Sequence, residues 1–405
     1  MSYLITYGSS FGILIWLEFM IWFLRFLFAF IALGWGYAVF RSIRGMRRKR
    51  FVLTAADRVA SAVPVSIVIP ARNEVGNIED CLRSALAQDH PEVQVVVLND
   101  ASTDGTEEVV KRMAAADDRV TDLHGDGSAL PAGWFGKPWA LQRAQKSATG
   151  EWLAFVDADV TLQPEAVSRV IGYAQQHQLD MVTGLGNLVM ESFWEKVLQP
   201  AVGGLILAGN SLSQVNNPEK KDKNLANGQF IVISREAYDR LGGHECVKAN
   251  ILDDIGLARA VVAKDMRYHC LDLQALFDCR MYTSLAEIWE GWTKNLFAGM
   301  RYSWKNVLLA IVFTLSFSIT GHLLLILGLV GVLTMEWLIW GAIITGLCQL
   351  LRLIMDVRRG QNIVYGLTHA PANVLVCIMI IHSGLRSMRG TVRWKGRLYQ
   401  PTDNG

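Results

Sequence analysis

Apolar positions fall in long unbroken runs at both ends of this chain and in short punctuated ones between. Residues 11–40 are interrupted only by Glu18 and Arg25, long enough to span a bilayer with some tilt. The run is too long for the core of a signal peptide, its amino end is not basic and no small-residue cleavage pattern follows it. It reads as an uncleaved anchor. Residues 1–10 carry no charged side chain, whereas Arg41, Arg44, Arg47, Arg48, Lys49 and Arg50 follow directly. The positive-inside rule then places the amino terminus outside and Pro64 onward in the cytosol. The same basic run, at its plainest a solvated linker, also suits contact with anionic lipid.

Towards the other end, residues 307–333 form a span whose one ionisable group is His322, and 337–355 form a second that returns to Arg352, Arg358 and Arg359. Residues 363–383 are weaker, broken by His369, Pro371, Asn373 and His382, and the tail from Arg386 to Arg397 is basic. A full crossing there would leave a basic tail outside, so a re-entrant or interfacial hairpin is the expectation. Just before these spans, residues 281–306 scatter Trp289, Trp292 and Trp304 among Glu287, Glu290, Lys294 and Arg301. Such a segment suits a helix lying in the interface, with ordinary core packing as its rival.

Between the ends the period changes. VSIVIP (65–70), VQVVVL (93–98) and WLAFV (152–156) are short apolar runs closed by polar residues, the pattern of buried strands. Ile78, Cys81, Leu82, Ala85 and Leu86 make the stripe of a helix lying on a sheet, and a second helix is expected at 106–115. Others are expected at 139–148, 165–177, 235–241 and 255–262, with strands at 181–183 and 228–234. Strand, helix, strand at this spacing implies right-handed βαβ units in a largely parallel sheet. Ligands of such sheets sit beyond the carboxyl ends of the strands. Asn73, Glu74, Asp100, Asp157 and Asp159 all fall there.

Composition adds limits. A net charge of +2 gives no reason to expect nucleic acid, and six cysteines without a C-x-x-C spacing read as reduced thiols. Asp157 and Asp159, two apart where a strand meets a loop, can share one hard cation such as Mg²⁺ or Mn²⁺. Asp-x-Asp alone is a chance-level motif; the convergence of three strand ends gives it weight. Lys137 stands in a loop between Gly133, Gly136 and the next helix, where it offers a point charge to a phosphate or simply faces water. Asp253 and Asp254 open a helix, which N-capping and the helix dipole would explain without chemistry.

Taken together these stretches resemble the family 2 glycosyltransferases of GT-A fold. The matching motifs are VSIVIPARNE (65–74), VVVLNDASTDGT (95–106), GKPWAL (136–141), GEWLAFVDADV (150–160), ANGQFIVISREAY (226–238) and LDDIGLAR (252–259). GWTKN (291–295) and WKGRLY (394–399) are similar to the membrane-bound branch that glycosylates lipids, which includes carotenoid- and hopanoid-associated transferases and ceramide glucosyltransferases. The resemblance implies an α/β GT-A domain, Rossmann-like with a mostly parallel sheet, flanked by transmembrane helices. It implies that Pro70, Ala71, Asn73, Glu74 and Asp100 line the nucleoside pocket, that Lys137 approaches the sugar diphosphate, and that Asp157 touches the ribose, the donor sugar or the metal. It further implies Asp159 as metal ligand, and Asp254 as catalytic base with Asp253 beside it.

One departure stands out. Processive synthases and ceramide glucosyltransferases carry a Gln/Arg-x-x-Arg-Trp motif before the next span, where this chain reads EIWEGWTKNLF; Arg393-Trp394 comes too late. Trp292 or Lys294 is the candidate replacement. The expectation is a multi-pass enzyme of the cell membrane with a cytosolic site. It moves one sugar from a nucleotide-sugar, a UDP-sugar, to a lipid hydroxyl with inversion, using Mg²⁺ or Mn²⁺. A processive polysaccharide synthase and an inactive nucleotide-sugar-binding scaffold are the alternatives. The expected parts are an anchor with its basic linker (1–50), the catalytic domain (51–280), an interfacial segment (281–306), a membrane region (307–385) and a basic tail (386–405). Nothing in the pattern sets an oligomeric state.

Overall fold

A computed structural model of the chain describes residues 2–47, 53 and 63–399, with side chains in the first helix over 15–44. Arg48, Lys49 and Arg50 of the basic linker lie outside the described residues. The chain divides into two compact units. One comprises residues 50–195, 203–304 and 379–405, the other 1–49, 196–202 and 305–378.

The first unit is α/β. Its strands are β1 (Val65–Ala71), β2 (Val93–Asn99), β3 (Val120–His124), β4 (Trp152–Val156), β5 (Val160–Leu162), β6 (Met181–Leu185), β7 (Asn187–Leu188), β8 (Phe230–Ser234), β9 (Tyr268–Asp272), β10 (Phe277–Cys279), β11 (Val392–Trp394) and β12 (Arg397–Tyr399). Seven of them form one sheet in the order β3-β2-β1-β4-β8-β6-β9. All its pairings are parallel except those of β8, which runs antiparallel to both β4 and β6. Both faces are covered, which is why the strands read as continuous apolar runs. Val65, Ile67 and Ile69 of β1 belong to the core on one side, while Val68 joins Val96 and Leu98 in the core on the other. Pro70 lies beyond the last β1–β4 pair, Val68 with Phe155, so its missing N–H costs no bond to β4.

The reversed strand matters for the site. β1, β2 and β4 end at the same edge, and β8 begins there, so Asn227 and Gly228 arrive beside Asp157 from the opposite chain direction. Gly150 makes the approach of β4 to β1 possible: a Cβ on it would lie 2.4 Å from the Ser66 nitrogen and 2.7 Å from the Val65 carbonyl carbon.

Two local expectations need correction, and two further stretches gain detail. The helix expected from residue 139 begins at Gly136, because Phe135 holds an extended conformation and Pro138 is tolerated in a first turn. Lys137 therefore projects from a helix amino end, not from a loop. Asp253 and Asp254 likewise lie inside the first turn of helix Asp253–Ala263, with no side-chain cap from Leu252. Residues 363–388 form one continuous run, a 3-10 turn (Ile363–Thr368) leading into helix His369–Met388, in place of a hairpin. Its polar groups find partners without a chain reversal: Asn373 Nδ2 donates to the His369 carbonyl at 2.8 Å, and His382 Nδ1 accepts from Trp289 Nε1 at 2.8 Å. Finally, the basic tail is folded. β11 and β12 pair as a tight hairpin across Lys395 and Gly396, both at positive φ (46° and 76°), the signature of a two-residue turn that favours glycine in its second place.

Helix Leu285–Gly299 buries Ile288, Gly291, Thr293, Leu296 and Phe297 and leaves Trp289 and Trp292 half-buried. One face is thus packed as ordinary core. Gly291 is required there, since a Cβ would meet the Tyr282 ring at 2.2 Å.

The second unit holds most of the apolar runs. Among the described residues four helices are long and apolar enough to cross a membrane: Ile15–Arg44, Trp304–Leu329, Met335–Arg358 and Ile363–Met388. Arg25, one of the two interruptions in the first, pairs with Glu336 at 2.5 Å. Trp304–Leu329 is interrupted by a π turn at Leu315–Ile319, and Trp35 Nε1 donates to the carbonyl of Phe317 at 2.9 Å. Arg352 and Asp356 form a buried ion pair at 2.8 Å, and the same guanidinium donates to the Lys196 carbonyl.

Candidate active site

The α/β sheet edge gathers groups from six stretches of chain. At the end of β4, Asp157 Oδ1 meets the Lys137 ammonium at 2.6 Å. Lys137 Nζ also lies 3.5 Å from the Gly228 carbonyl oxygen, while the Gly228 N–H donates to Asp254 Oδ2 at 2.9 Å. A Cβ on Gly228 would stand 3.0 Å from Nζ and 3.5 Å from that Oδ2, so a side chain there would press on the ammonium. Asp254 Oδ1 takes a further bond from Ile255 N–H at 2.8 Å. Burial draws the Lys137 charge down, but Asp157, Asp253 and Asp254 together outweigh it and hold the ammonium above the ordinary lysine range.

The carboxylates are divided by their surroundings. Burial, then the neighbouring charges of Asp157 and Glu74, push Asp159 up to about 7. Burial and Asp253 push Asp254 up to about 6, against the pull of Lys137 and of the two N–H donors. Asp159 Oδ1 is buried and has no hydrogen-bond partner. A buried, unpartnered carboxylate oxygen is costly unless something cationic satisfies it. That makes Asp159 a fit for a divalent ion, with Asp157 as a second ligand already partly committed to Lys137. Among the described residues no three His, Cys, Asp or Glu side chains gather into a full cage. One or two carboxylates with the remaining positions left to phosphate oxygens and water is the arrangement Mg²⁺ ordinarily takes.

At the ends of β1 and β2 the expected nucleoside-pocket residues are adjacent but not equally free. The Ala71 carbonyl accepts from Asp100 N–H at 2.7 Å, which fixes Asp100 at the edge. Asn73, at φ 54°, spends its Oδ1 on the Thr103 N–H and its own N–H on Ser102 Oγ, both at 2.9 Å, tying the two loops together. Glu74 N–H is held by Thr106 Oγ1 at 2.8 Å.

Residues outside the expected set also reach this edge. Arg397 grips the Asp100 carboxylate with both arms of its guanidinium, and Lys395 pairs with Glu74. Arg72 donates to the carbonyls of Asp100 and Lys395. The Lys294 ammonium sits over the Trp394 ring at 4.9 Å; burial pulls it down to about 8 although Asp253 opposes the shift. Of the two candidates to stand in for the absent Gln/Arg-x-x-Arg-Trp motif, Lys294 is thus set against an aromatic ring of the tail, Trp394. WKGR advertises a hairpin turn, but its docking on strands some three hundred residues earlier has no local signature.

Residues 66–242 match the model of glycosyl transferase family 2. The 4,4'-diaponeurosporenoate glycosyltransferase of Staphylococcus aureus strain MRSA252 is 29% identical over 348 residues, covering 83% of this chain and 88% of that protein. The protein of the same name from strain USA300 is 29% identical over 344 residues with the same coverage. Among solved structures, the mannosyltransferase PcManGT from Pyrobaculum calidifontis in complex with GDP-Man and Mn²⁺ aligns over 89% of this chain and 99% of its own, at 17% identity and a TM-score of 0.46.

Proposed function

We propose that this chain, a glycosyltransferase by its family 2 domain, moves one sugar from a nucleoside diphosphate sugar, a UDP-sugar, to a lipid acceptor by a single inverting displacement. The observation that carries this is the convergence on one sheet edge of the Lys137–Asp157 pair, the unpartnered Asp159 oxygen and the elevated Asp254. The relatives named for 4,4'-diaponeurosporenoate support a lipid-like acceptor of carotenoid type.

The residues divide the work. Asp254 takes the proton of the acceptor hydroxyl as the new bond to the anomeric carbon forms, and an affinity for protons near pH 6 suits a base working at neutral pH. The bond from that carbon to the diphosphate breaks at the same time. Lys137 faces the oxygen that departs and meets the charge developing on it. Asp159, with Asp157, would hold Mg²⁺ or Mn²⁺, whose chemistry is to neutralise the leaving diphosphate. Asp253 raises the basicity of Asp254 by charge, and Asp100 faces the base of the donor.

The tail supports a membrane topology. Arg397 and Lys395 pair with Asp100 and Glu74 at the ends of β2 and β1, so residues on either side of the 304–388 segment share one side of the bilayer. An even number of crossings must join them, although three long helical runs lie between. We assign the crossings to 304–329 and 335–358. The run at 363–388, the least apolar of the four, lies along the membrane on this reading, which keeps both basic clusters cytosolic in line with the positive-inside rule.

Purified protein in detergent, given UDP-sugars, Mn²⁺ and a lipid extract, should release UDP and yield a lipid heavier by one sugar in mass spectrometry. A ladder of products would replace this reading with a polymer synthase. Unaltered lipid glycosylation by Asp254→Asn would remove the base assignment, and full activity of Asp159→Ala the metal one.

A further inference from the structure

The hairpin of β11 and β12 is built into the α/β unit. Val392 and Tyr399 are buried in one cluster with Phe135 and Ile251, the residues that lead into the helices bearing Lys137 and Asp253. The Phe135 and Tyr399 rings lie 4.8 Å apart, and Trp394 meets Tyr282 at 5.6 Å. With its apolar face clamped, the hairpin holds its turn, and with it Lys395 and Arg397, at the sheet edge. Beside them opens a cavity of about 450 Å³, lined by Arg72, Ala101, Gly127, Ser128 and Arg397 among others.

The pairs these two cations make crowd a donor site. The Arg397 fork takes one acceptor position on each Asp100 oxygen, half of those a nucleobase N–H could use. Lys395 pairs with Glu74 Oε1. A nucleoside diphosphate approaching this edge would also meet six carboxylates: Glu74, Asp100, Asp157, Asp159, Asp253 and Asp254. Lys137 is already matched to Asp157. The cations nearest the opening and still exchangeable are those of the turn, since a carboxylate partner can be traded for a phosphate oxygen with no loss of charge-assisted bonding. The trade frees Asp100 for the base.

We propose that Lys395 and Arg397 are donor ligands that leave Glu74 and Asp100 to bind the diphosphate of the incoming nucleotide. This rests on the donor reading above. The hairpin is then a wall of the donor site, adding its two cations to Lys294 and Lys137.

The test compares UDP with uridine, which lacks the phosphates, by calorimetry on the full-length protein in detergent, with Mn²⁺ and again in chelator. Lys395→Gln and Arg397→Gln are each expected to weaken UDP tenfold or more while leaving uridine unchanged or tighter, since Asp100 is released. Arg393→Gln, on the exposed side of the same hairpin, is the control and should leave UDP within twofold. Equal loss of UDP and uridine would make the cations structural and overturn the assignment. Unchanged or tighter UDP binding would make them mere plugs and overturn it as well. Thermal melting separates a misfolded variant, and Arg397→Lys, which keeps the charge without the fork, should then recover part of the UDP affinity. If the unaltered protein binds neither UDP nor uridine, the donor reading itself falls and this assignment with it.

Discussion

Replacing Lys137 by methionine separates two effects that the geometry joins. The side chain keeps its length, so the first turn from Gly136 is left in place, but Asp157 loses its 2.6 Å partner and the ammonium disappears from beside Asp254. Contacts through the Gly228 position limit the Lys137–Asp254 charge separation to at most about 6.5 Å, from the 3.0 and 3.5 Å distances to a Cβ there. At an effective dielectric of about 20 a full charge at that distance is worth roughly 2.5 kcal/mol. The Asp157 charge is present with or without the ammonium, so the full loss falls on Asp254 and amounts to about two pKa units.

The sign is fixed by which form works. Asp254 acts as a base when ionised, so kcat/KM falls as pH drops through its pKa. In the unaltered protein that fall is expected near pH 6. In Lys137→Met it should begin about two units higher, near 8, because the ionised form has lost its cationic neighbour. Independently, loss of the charge facing the leaving group should lower kcat by about 100- to 1,000-fold at the pH optimum. UDP release measured from pH 5 to 9 under saturating and limiting donor reads both. A kcat within threefold of the original, with the acidic limb unmoved, would refute the placement of Lys137 at the diphosphate. An unmoved limb with a depressed kcat would keep the leaving-group role and remove the coupling to Asp254.

Other consequences are as direct. Since Asp159 is pushed up to about 7, a divalent ion must displace a proton below that pH, and Mn²⁺ affinity should fall by up to about tenfold per unit below 7. Calorimetry in two buffers of different ionisation enthalpy should show the released proton; a pH-independent affinity would contradict it. Gly150→Ala forces a Cβ against the backbone of β1 and should destabilise by on the order of 3 kcal/mol or more, read as lost expression or a lower melting temperature. In the second unit, Arg352→Met leaves Asp356 buried and unpaired, at a cost of about 3–5 kcal/mol, whereas Arg352→Met with Asp356→Leu should recover most of the melting temperature. A double variant no better than the single one would mean the charges matter through some contact other than each other.

How far the sequence alone could lead follows from the range of the forces involved. Strands covered on both faces, such as β1, β2 and β4, announce themselves as apolar runs, and helix Ile78–Leu86 by its stripe. β3 at the sheet edge escapes notice because VTDLH is only partly buried and carries an aspartate and a histidine. The metal candidate was legible because both acids stand within three residues at one strand end. The significance of Gly228 was not, because it depends on β8 running against its neighbours, a fact of topology with no local mark.

The second acidic motif shows the same limit from the other side. On local grounds Asp253 and Asp254 are good residues for a helix amino end, and the structure does place them in the first turn. What argues against capping as their whole purpose is the partner. Asp254 accepts from Gly228, 26 residues earlier, and stands beside Lys137 from a third stretch of chain. One oxygen does serve its own helix, accepting from Ile255 N–H, but the other is set against another element, and the carboxylate is kept above the ordinary range by burial and by Asp253. Holding two acids together in a buried place works against stability, and the Lys137 charge offsets only part of that. An arrangement that works against the fold in this way is better explained by a proton-transfer task than by the helix it begins.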